Sequence, residues 1–575
     1  MAFILQPEVA MQSLSGLHLN GQDSLIQPLL NDYYQFTMCY AYWKTGTYDD
    51  LATFDLFFRK NPFSGEFTVF TGLEDCLRFV ENFRFSRSDI EFLRTILPET
   101  TEPEFFTYLE SLDCQRLRIT AIPEGTVVFP KVPLITVEGP LAICQLLETT
   151  FLNLINYASL VATNSARFRH VSGDKIQLLE FGLRRAQGPN GGLTASKYCY
   201  VGGFDATSNV LAGKLFGIPV QGTQAHSFIC SFSTVKDLKV RTLKPFMQPM
   251  QPAVDLYDLA LKKLDLLFEK IVWSVSKREI SEGELVAFCA YAIAFPSQFL
   301  ALVDTYDVLR SGVVNYCAVA LALRDLGYRA LGCRIDSGDL SYLSMEMRHI
   351  FRKVAEIDPS NLSWLAETNI VASNDINEET IMSLNEQHHE INSFGVGTHL
   401  VTCQKQPALG CVYKLVSISG MPKIKLSQDV AKITIPGQKK LFRLYGKTGK
   451  SILDLMVLRD EIDPQPNKPI LCLHPFEICP ICFIQRWCGV ESRRAQVTPA
   501  KVECLQLSFW ENGRIHQTLP SLAEMRARVN RSIASLRPDH LRSLNPTPYK
   551  VSVSEALYVF LHKIWLQNAP IGQLE

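Results

Sequence analysis

The sequence has almost no excess charge. Of 575 residues, 57 are Lys or Arg and 58 are Asp or Glu, a formal net charge of −1. That excludes a protein held to nucleic acid by global basicity. Long apolar runs are also lacking. The most apolar stretch, Leu285 to Phe295, is stopped by Pro296. It is too short for a hydrocarbon core of roughly 30 Å and reads as a buried helix. The opening residues MAFILQPEVAMQSL carry no basic segment and too short an apolar run for a secretory leader. A compact cysteine framework is missing as well. The 16 cysteines are scattered from Cys39 to Cys504, which favours reduced thiols in the cytosol over a disulfide scaffold. No internal repeat is apparent.

What is present is a globular composition, 47% hydrophobic and 20% charged, which excludes a mostly disordered chain. The length suits roughly three to four domains, and three is the better count. Residues 1–22 read as a flexible tail and 23–156 as an N-terminal α+β domain. Residues 157–440 read as an α/β barrel domain. Residues 441–575 read as a C-terminal domain with an insertion-like segment at 478–491. In the first domain a helix starts at Asn31 or Asp32, good caps, and ends before Gly46. It is rich in aromatics, among them Tyr33, Tyr34, Tyr40 and Trp43, which serve either core packing or a flat ligand. Ala52 to Phe58 and Phe67 to Phe70 read as strands. Thr126 to Val137 is strand-like but interrupted by Pro130 and Pro133, which suits an edge or a bend.

Beyond residue 157 strands and helices alternate. Strands are expected at Ile176 to Phe181, Ile218 to Val220, Ala330 to Ile335, Ile370 to Ser373 and Ile391 to Phe394, with helices between them. This alternation predicts a parallel sheet or barrel. Ligands of such folds lie at the carboxyl ends of the strands. The first strand runs into Phe181-Gly182-Leu183-Arg184-Arg185, an aromatic face beside paired cations that suit a carboxylate or phosphate. The second leads to Thr223 and His226 among small residues, where a histidine can be base, ligand or nucleophile. The third ends in Arg334-Ile335-Asp336, and alternation puts Arg334 and Asp336 on one side. A cation for phosphate beside a carboxylate for ribose hydroxyls or hydrated Mg²⁺ suits a sugar phosphate. The last ends in Gly395-Val396-Gly397-Thr398, where backbone N–H groups and a hydroxyl can close on a phosphate. Each constellation alone could be an ordinary turn. Four at equivalent positions indicate an enzyme acting on a phosphate-rich anion.

At these residues the sequence closely resembles the nicotinate phosphoribosyltransferases. The matching segments are LLNDYYQFTM, FFRKNPF, EFGLRRAQG, GTQAHSF, FLALVDTYDVLRSG, RIDSGDL, SNDIN, FGVGTHLVTC and NPTPYKVSVS, in order along nearly the whole chain. The resemblance implies an irregular α/β barrel of the type II phosphoribosyltransferases, packed with an N-terminal domain, in a homodimer with active sites at the subunit interface. It implies joining of nicotinate to 5-phosphoribosyl 1-diphosphate, giving nicotinate mononucleotide and diphosphate, with ATP hydrolysis as a co-reaction and Mg²⁺ or Mn²⁺ as the metal. His226 matches the phosphorylated histidine. Tyr34, Thr223 and Arg334 match nicotinate contacts, Tyr34 from the neighbouring subunit. Thr398 matches a phosphoribosyl diphosphate contact, with Gly395 and Gly397 in the same motif. By looser analogy with the nicotinamide enzymes, Phe181 stacks on the ring and Arg184 and Asp336 hold the phosphoribosyl group. Metal ligands and the acidic partner of His226 are not assigned.

One stretch departs from the family pattern. ICPICFIQRWCGVE, residues 478–491, is apolar and cysteine-rich. Cys479 and Cys482 have CxxC spacing, with Cys472, His474 and Cys488 close by, yet not the spacing of an ordinary zinc ribbon or finger. It reads as an inserted loop or unspliced text rather than a metal site. The competing functions are a nicotinamide phosphoribosyltransferase, a quinolinate enzyme and an inactive binding or scaffold homologue. The arginine-rich segments favour the nicotinate anion over the neutral amide. The quinolinate enzymes are much shorter and lack the histidine motif, and the intact motifs argue against a decayed site.

Overall fold

A computed structural model describes residues 25–246, 250–427, 432–475 and 494–568. The tail expected at 1–22 and the segment 478–491 lie outside the described residues, as do Cys479, Cys482 and Cys488. Cys472 is buried, and the cysteines among the described residues are free thiols. Among the described residues no helix is long and apolar enough to cross a membrane.

The chain divides into two compact units, 1–166 with 405–575, and 167–404. The sequence reading had separated 441–575 as a domain and given 405–440 to the barrel. Strand pairing divides the chain otherwise. Cys411–Ile418 pairs antiparallel with Leu51–Phe58, and Leu507–Glu511 with Arg118–Ala121. Both late segments thus complete the sheet begun by the N-terminal residues. In that seven-stranded sheet Ile135–Pro140 lies between Leu51–Phe58 and Arg118–Ala121. It is an interior strand, so of the edge or bend expected from Pro130 and Pro133 the structure has the bend, a turn between Val127–Val128 and Ile135–Pro140. Both prolines fall before it, so neither removes a ladder donor. The aromatic helix is Tyr33–Lys44, and Asp32 precedes it without a side-chain cap bond. A second, six-stranded sheet of this unit is pinned by Arg443, whose Nε and Nη2 donate to the Asp454 carboxylate at 2.7 and 2.8 Å with both side chains fully buried.

The second unit is built on a wholly parallel sheet. Its strands are β1 (Gln177–Glu180), β2 (Ala206–Thr207), β3 (Leu300–Leu302), β4 (Gly332–Ile335), β5 (Asn369–Ala372) and β6 (Ser393–Val396). Their spatial order is β3-β4-β5-β6-β1-β2. The expected strand at Ile218 to Val220 contracts to one parallel bridge, Thr207 with Val220. Two strands lie outside the expected set: β2, of two residues, and β3, of three, which follows closely on Phe295-Pro296. Among the helices between the strands, Val313–Asp325 has eleven of its residues buried. Asn209 caps the helix Val210–Phe216, which closes on Gly217 in the left-handed region (φ 66°).

The seam between the two ends of this sheet is closed by a side chain. The buried Gln224 amide donates from Nε2 to Leu300 O at 2.6 Å and accepts from Leu302 N–H at 3.2 Å. A residue in a parallel neighbour strand bonds the backbone on either side of its partner in just this way. Gln224 imitates such a strand beside Ala301.

Candidate active site

The strand ends of the second unit bring together most of the residues singled out in the sequence. Arg334, the third residue of β4, is at the centre, its side chain only 12% exposed. Nε donates to Ser373 Oγ at 2.6 Å. Nη1 donates to Thr223 Oγ1 at 2.7 Å and to Gln224 O at 3.1 Å. Nη2 stands 3.0 Å from Asp336 Oδ1. Alternation along β4 had predicted that Arg334 and Asp336 share a side, and the ion pair shows that they do. Ser373, just beyond β5, donates to the same Asp336 Oδ1 at 2.7 Å.

Phe181 extends from β1, and the Arg334 guanidinium carbon lies 5.8 Å from its ring centroid. The ring fits because Gly395 faces it. A Cβ on Gly395 would stand 2.5 Å from the ring and 3.2 Å from Ser373 Cβ. A Cβ on Gly182 would stand 3.0 Å from Gly397 O, so the turns after β1 and β6 abut. Gly397 precedes the short helix Thr398–Val401, and the Thr398 side chain is half-buried. Arg184 sits in the single turn Leu183–Arg185, and its guanidinium is exposed.

His226 opens the short helix His226–Cys230, and its side chain is 43% exposed. Nδ1 lies 3.1 Å from Thr305 Oγ1, and Nε2 lies 3.8 Å from Asp336 Oδ2. The acid facing His226 is therefore Asp336, the carboxylate that also holds Arg334. Asp304, just beyond β3, accepts from Asp336 N–H at 2.9 Å and from Ser337 Oγ at 2.5 Å, which holds the turn that presents Asp336. Its other oxygen is buried without a hydrogen-bond partner. Glu180 is 1% exposed and accepts from Gly182 N–H, Ser196 Oγ and Thr207 Oγ1 at 2.5, 2.8 and 2.5 Å, tying the Phe181 turn to β2.

Tyr34 is not a residue of the second unit. It belongs to the first unit, on the helix Tyr33–Lys44, and is 48% exposed. Sequence reading gave no role to Glu180, Gln224, Asp304, Thr305 or Ser373. Asp304, Thr305 and Ser373 lie in the quoted segments FLALVDTYDVLRSG and SNDIN, so the available signal was a polar residue directly after a strand.

Three family models cover most of the chain. Residues 29–156 match the nicotinate phosphoribosyltransferase N-terminal domain, 320–449 the nicotinate phosphoribosyltransferase family and 438–561 the C-terminal domain. The nicotinate phosphoribosyltransferase of Caenorhabditis elegans is 65% identical over 578 residues, covering 100% of each chain. The chain belongs to the nicotinate phosphoribosyltransferase family. The nicotinate phosphoribosyltransferase of Homo sapiens is 46% identical over 544 residues, covering 95% of this chain and 98% of that protein. A crystal structure of the human nicotinic acid phosphoribosyltransferase matches with a TM-score of 0.80 at 43% identity, over 93% of this chain and 99% of that one. This establishes the type II phosphoribosyltransferase fold, with β1–β6 as its partial barrel. The nicotinate-nucleotide pyrophosphorylase of Pyrococcus furiosus, 19% identical with a TM-score of 0.53, shares the fold.

Proposed function

We propose that this family member condenses nicotinate with 5-phosphoribosyl 1-diphosphate, coupled to ATP hydrolysis, as the first step of NAD synthesis from nicotinic acid. The observation that carries the reading is the Arg334–Thr223 pair at 2.7 Å beside the Phe181 ring. A guanidinium has five N–H donors. Four of the Arg334 contacts are internal, which leaves one Nη2–H for a carboxylate, and the Thr223 hydroxyl, whose proton makes only a long 3.4 Å contact with Gln224 O, stands beside it as a second donor. A flat anion with a carboxyl group on its ring matches a donor pair beside an aromatic face. Nicotinamide, a neutral amide, calls for an acidic acceptor. The carboxylate beside Arg334 is Asp336, already paired with that arginine and Ser373.

In this reading the pyridine nitrogen attacks C1 of the ribose as the diphosphate bond breaks, through an oxocarbenium-like transition state. The chain acts mainly by positioning two reactants and by stabilising the departing charge. Thr398, Gly395, Gly397 and Arg184 receive the phosphoribosyl diphosphate, and Asp336 the ribose hydroxyls. Among the described residues no group of three His, Cys, Asp or Glu side chains could hold a metal. The unpaired buried oxygen of Asp304 and the carboxylate of Asp336 are the groups that would hold a hydrated Mg²⁺. Such a metal neutralises diphosphate charge.

His226 accepts the terminal phosphoryl group of ATP: an N–P bond forms, the bridging P–O bond breaks and ADP leaves. Hydrolysis of the phosphohistidine then completes the cycle. Tyr34 of the partner subunit closes over the pyridine in a homodimer, and the scattered free thiols suit the cytosol. The test is nucleotide formation from nicotinate and from nicotinamide, with and without ATP, in the wild type and in His226→Ala. Nicotinate should be strongly preferred, and the variant should lose both phosphoenzyme and ATP stimulation. Equal use of both pyridines, or full ATP-dependent turnover in His226→Ala, sinks the reading.

A further inference from the structure

Ser373 occupies the point where Arg334 and Asp336 meet. Its hydroxyl oxygen accepts from Arg334 Nε at 2.6 Å, and its proton goes to Asp336 Oδ1 at 2.7 Å. Arg334 Nη2 closes the ring on that same oxygen at 3.0 Å. One hydroxyl can donate once and accept twice, so these two bonds use its donor and one acceptor position. Its backbone N–H is bonded to Ile335 O at 3.0 Å, which fixes its position between the β4 and β5 ends. Ser373 is 8% exposed, and the missing side chain of Gly395 leaves room beside its Cβ. The hydroxyl therefore holds the Nε corner of the guanidinium and, through Asp336 Oδ1, ties that corner to the acceptor of Nη2.

We infer that Ser373 is a positioning residue for pyridine binding, acting through Arg334. The inference rests on the reading of Arg334 as the arginine that meets the nicotinate carboxylate. Removing the hydroxyl leaves Nε without its acceptor, loosens one of the four contacts that hold the guanidinium and leaves Asp336 Oδ1 with one donor fewer. The ring–carboxylate geometry suffers, while the His226 side of Asp336, its Oδ2, is untouched. Binding of nicotinate is thus the step affected, and phosphorylation of His226 is not.

The experiment measures nicotinate KM and kcat for nucleotide formation in the full-length protein, together with ³²P labelling from ATP. Ser373→Ala should raise the nicotinate KM roughly tenfold, the loss typical of a hydrogen bond to a charged group. Its kcat and labelling should stay within about twofold of the wild type. In an Arg334→Lys background the same substitution should change KM by less than about twofold, because the partner it positions is gone. Ser373→Cys is a second variant: the thiol fills the space but bonds weakly, so its KM should rise as well. An unmoved KM in Ser373→Ala or Ser373→Cys, or a full tenfold loss persisting with Arg334→Lys, overturns the inference alone. Wild-type protein that makes no nucleotide overturns the functional reading and the inference with it.

Discussion

The Nε2 atom of His226 lies 3.8 Å from Oδ2 of Asp336. Oδ1 of the same carboxylate is 3.0 Å from Arg334 Nη2. One carboxylate thus faces both the histidine proposed to be phosphorylated and the arginine proposed to bind the pyridine. A change of charge on the imidazole is felt at Asp336 directly. Asp336→Asn removes that charge and its pairing with both neighbours. It should depress phosphohistidine formation and raise the nicotinate KM together, each by tenfold or more. Labelling and initial-rate assays on the same preparation check this. A variant that raises the KM and leaves labelling at the wild-type level would show that the Asp336 charge plays no part in phosphorylation of His226.

Gln224 closes the barrel seam, and it stands between Thr223 and Ala225, two residues before His226. Its amide bonds to Leu300 O and Leu302 N–H register His226 against Thr305, whose hydroxyl is 3.1 Å from Nδ1. Gln224→Ala leaves two backbone groups of β3 without partners at a buried seam. The expected loss of stability is roughly 2 kcal/mol or more, read as a lower denaturation midpoint. Phosphohistidine formation should fall further than the stability loss alone explains.

Gly395 has a steric task. A methyl group there would stand 2.5 and 2.7 Å from two Phe181 ring carbons. Gly395→Ala must therefore turn the ring out of its place or move β6. Nicotinate affinity should fall by tenfold or more, while labelling of His226 stays near wild type. Titration of nicotinate into the variant, alongside the labelling assay, checks both halves of the expectation.

Glu284 offers a pH dependence. It is fully buried, and its Oε2 accepts from Ser311 Oγ at 2.5 Å and Asn315 Nδ2 at 3.0 Å. Burial pushes its carboxyl up to about 7 from 4.5; these two hydrogen bonds oppose the rise, and the charges of Asp304 and Asp307 add to it. Between those two values the folded state binds more protons than the unfolded chain. Stability from this group is therefore highest at low pH and falls as pH rises from about 4.5 to about 7, by about 3 kcal/mol in all. Glu284→Gln has no proton to lose. Its melting temperature should gain on the wild type on going from about pH 5 to about pH 8. Parallel melting curves across that range would refute the assignment.

Much of the second unit was legible in the sequence. Five expected strands fell on or beside observed pairings, because short apolar runs ending in glycine, arginine or aspartate are local signals. Strand β3 escaped because three residues show no periodicity. The first unit was less legible. Nothing local says that Cys411–Ile418 returns to pair with Leu51–Phe58. That pairing is a long-range match between a buried strand and a partly buried one.

The sequence by itself determined which chemical groups stand at the strand ends: a histidine among small residues, an arginine two positions before an aspartate, and a glycine pair before a threonine. Their kinds and local spacing are properties of single segments. Tertiary structure alone decided which of them meet. Thr305 reaches His226 across 79 residues, and Thr223 reaches Arg334 across 111. The order β3-β4-β5-β6-β1-β2 and the amide seam at Gln224 set those distances. Strand order depends on which long-range pairings bury the most apolar surface and satisfy the most backbone groups, and no single segment encodes that sum.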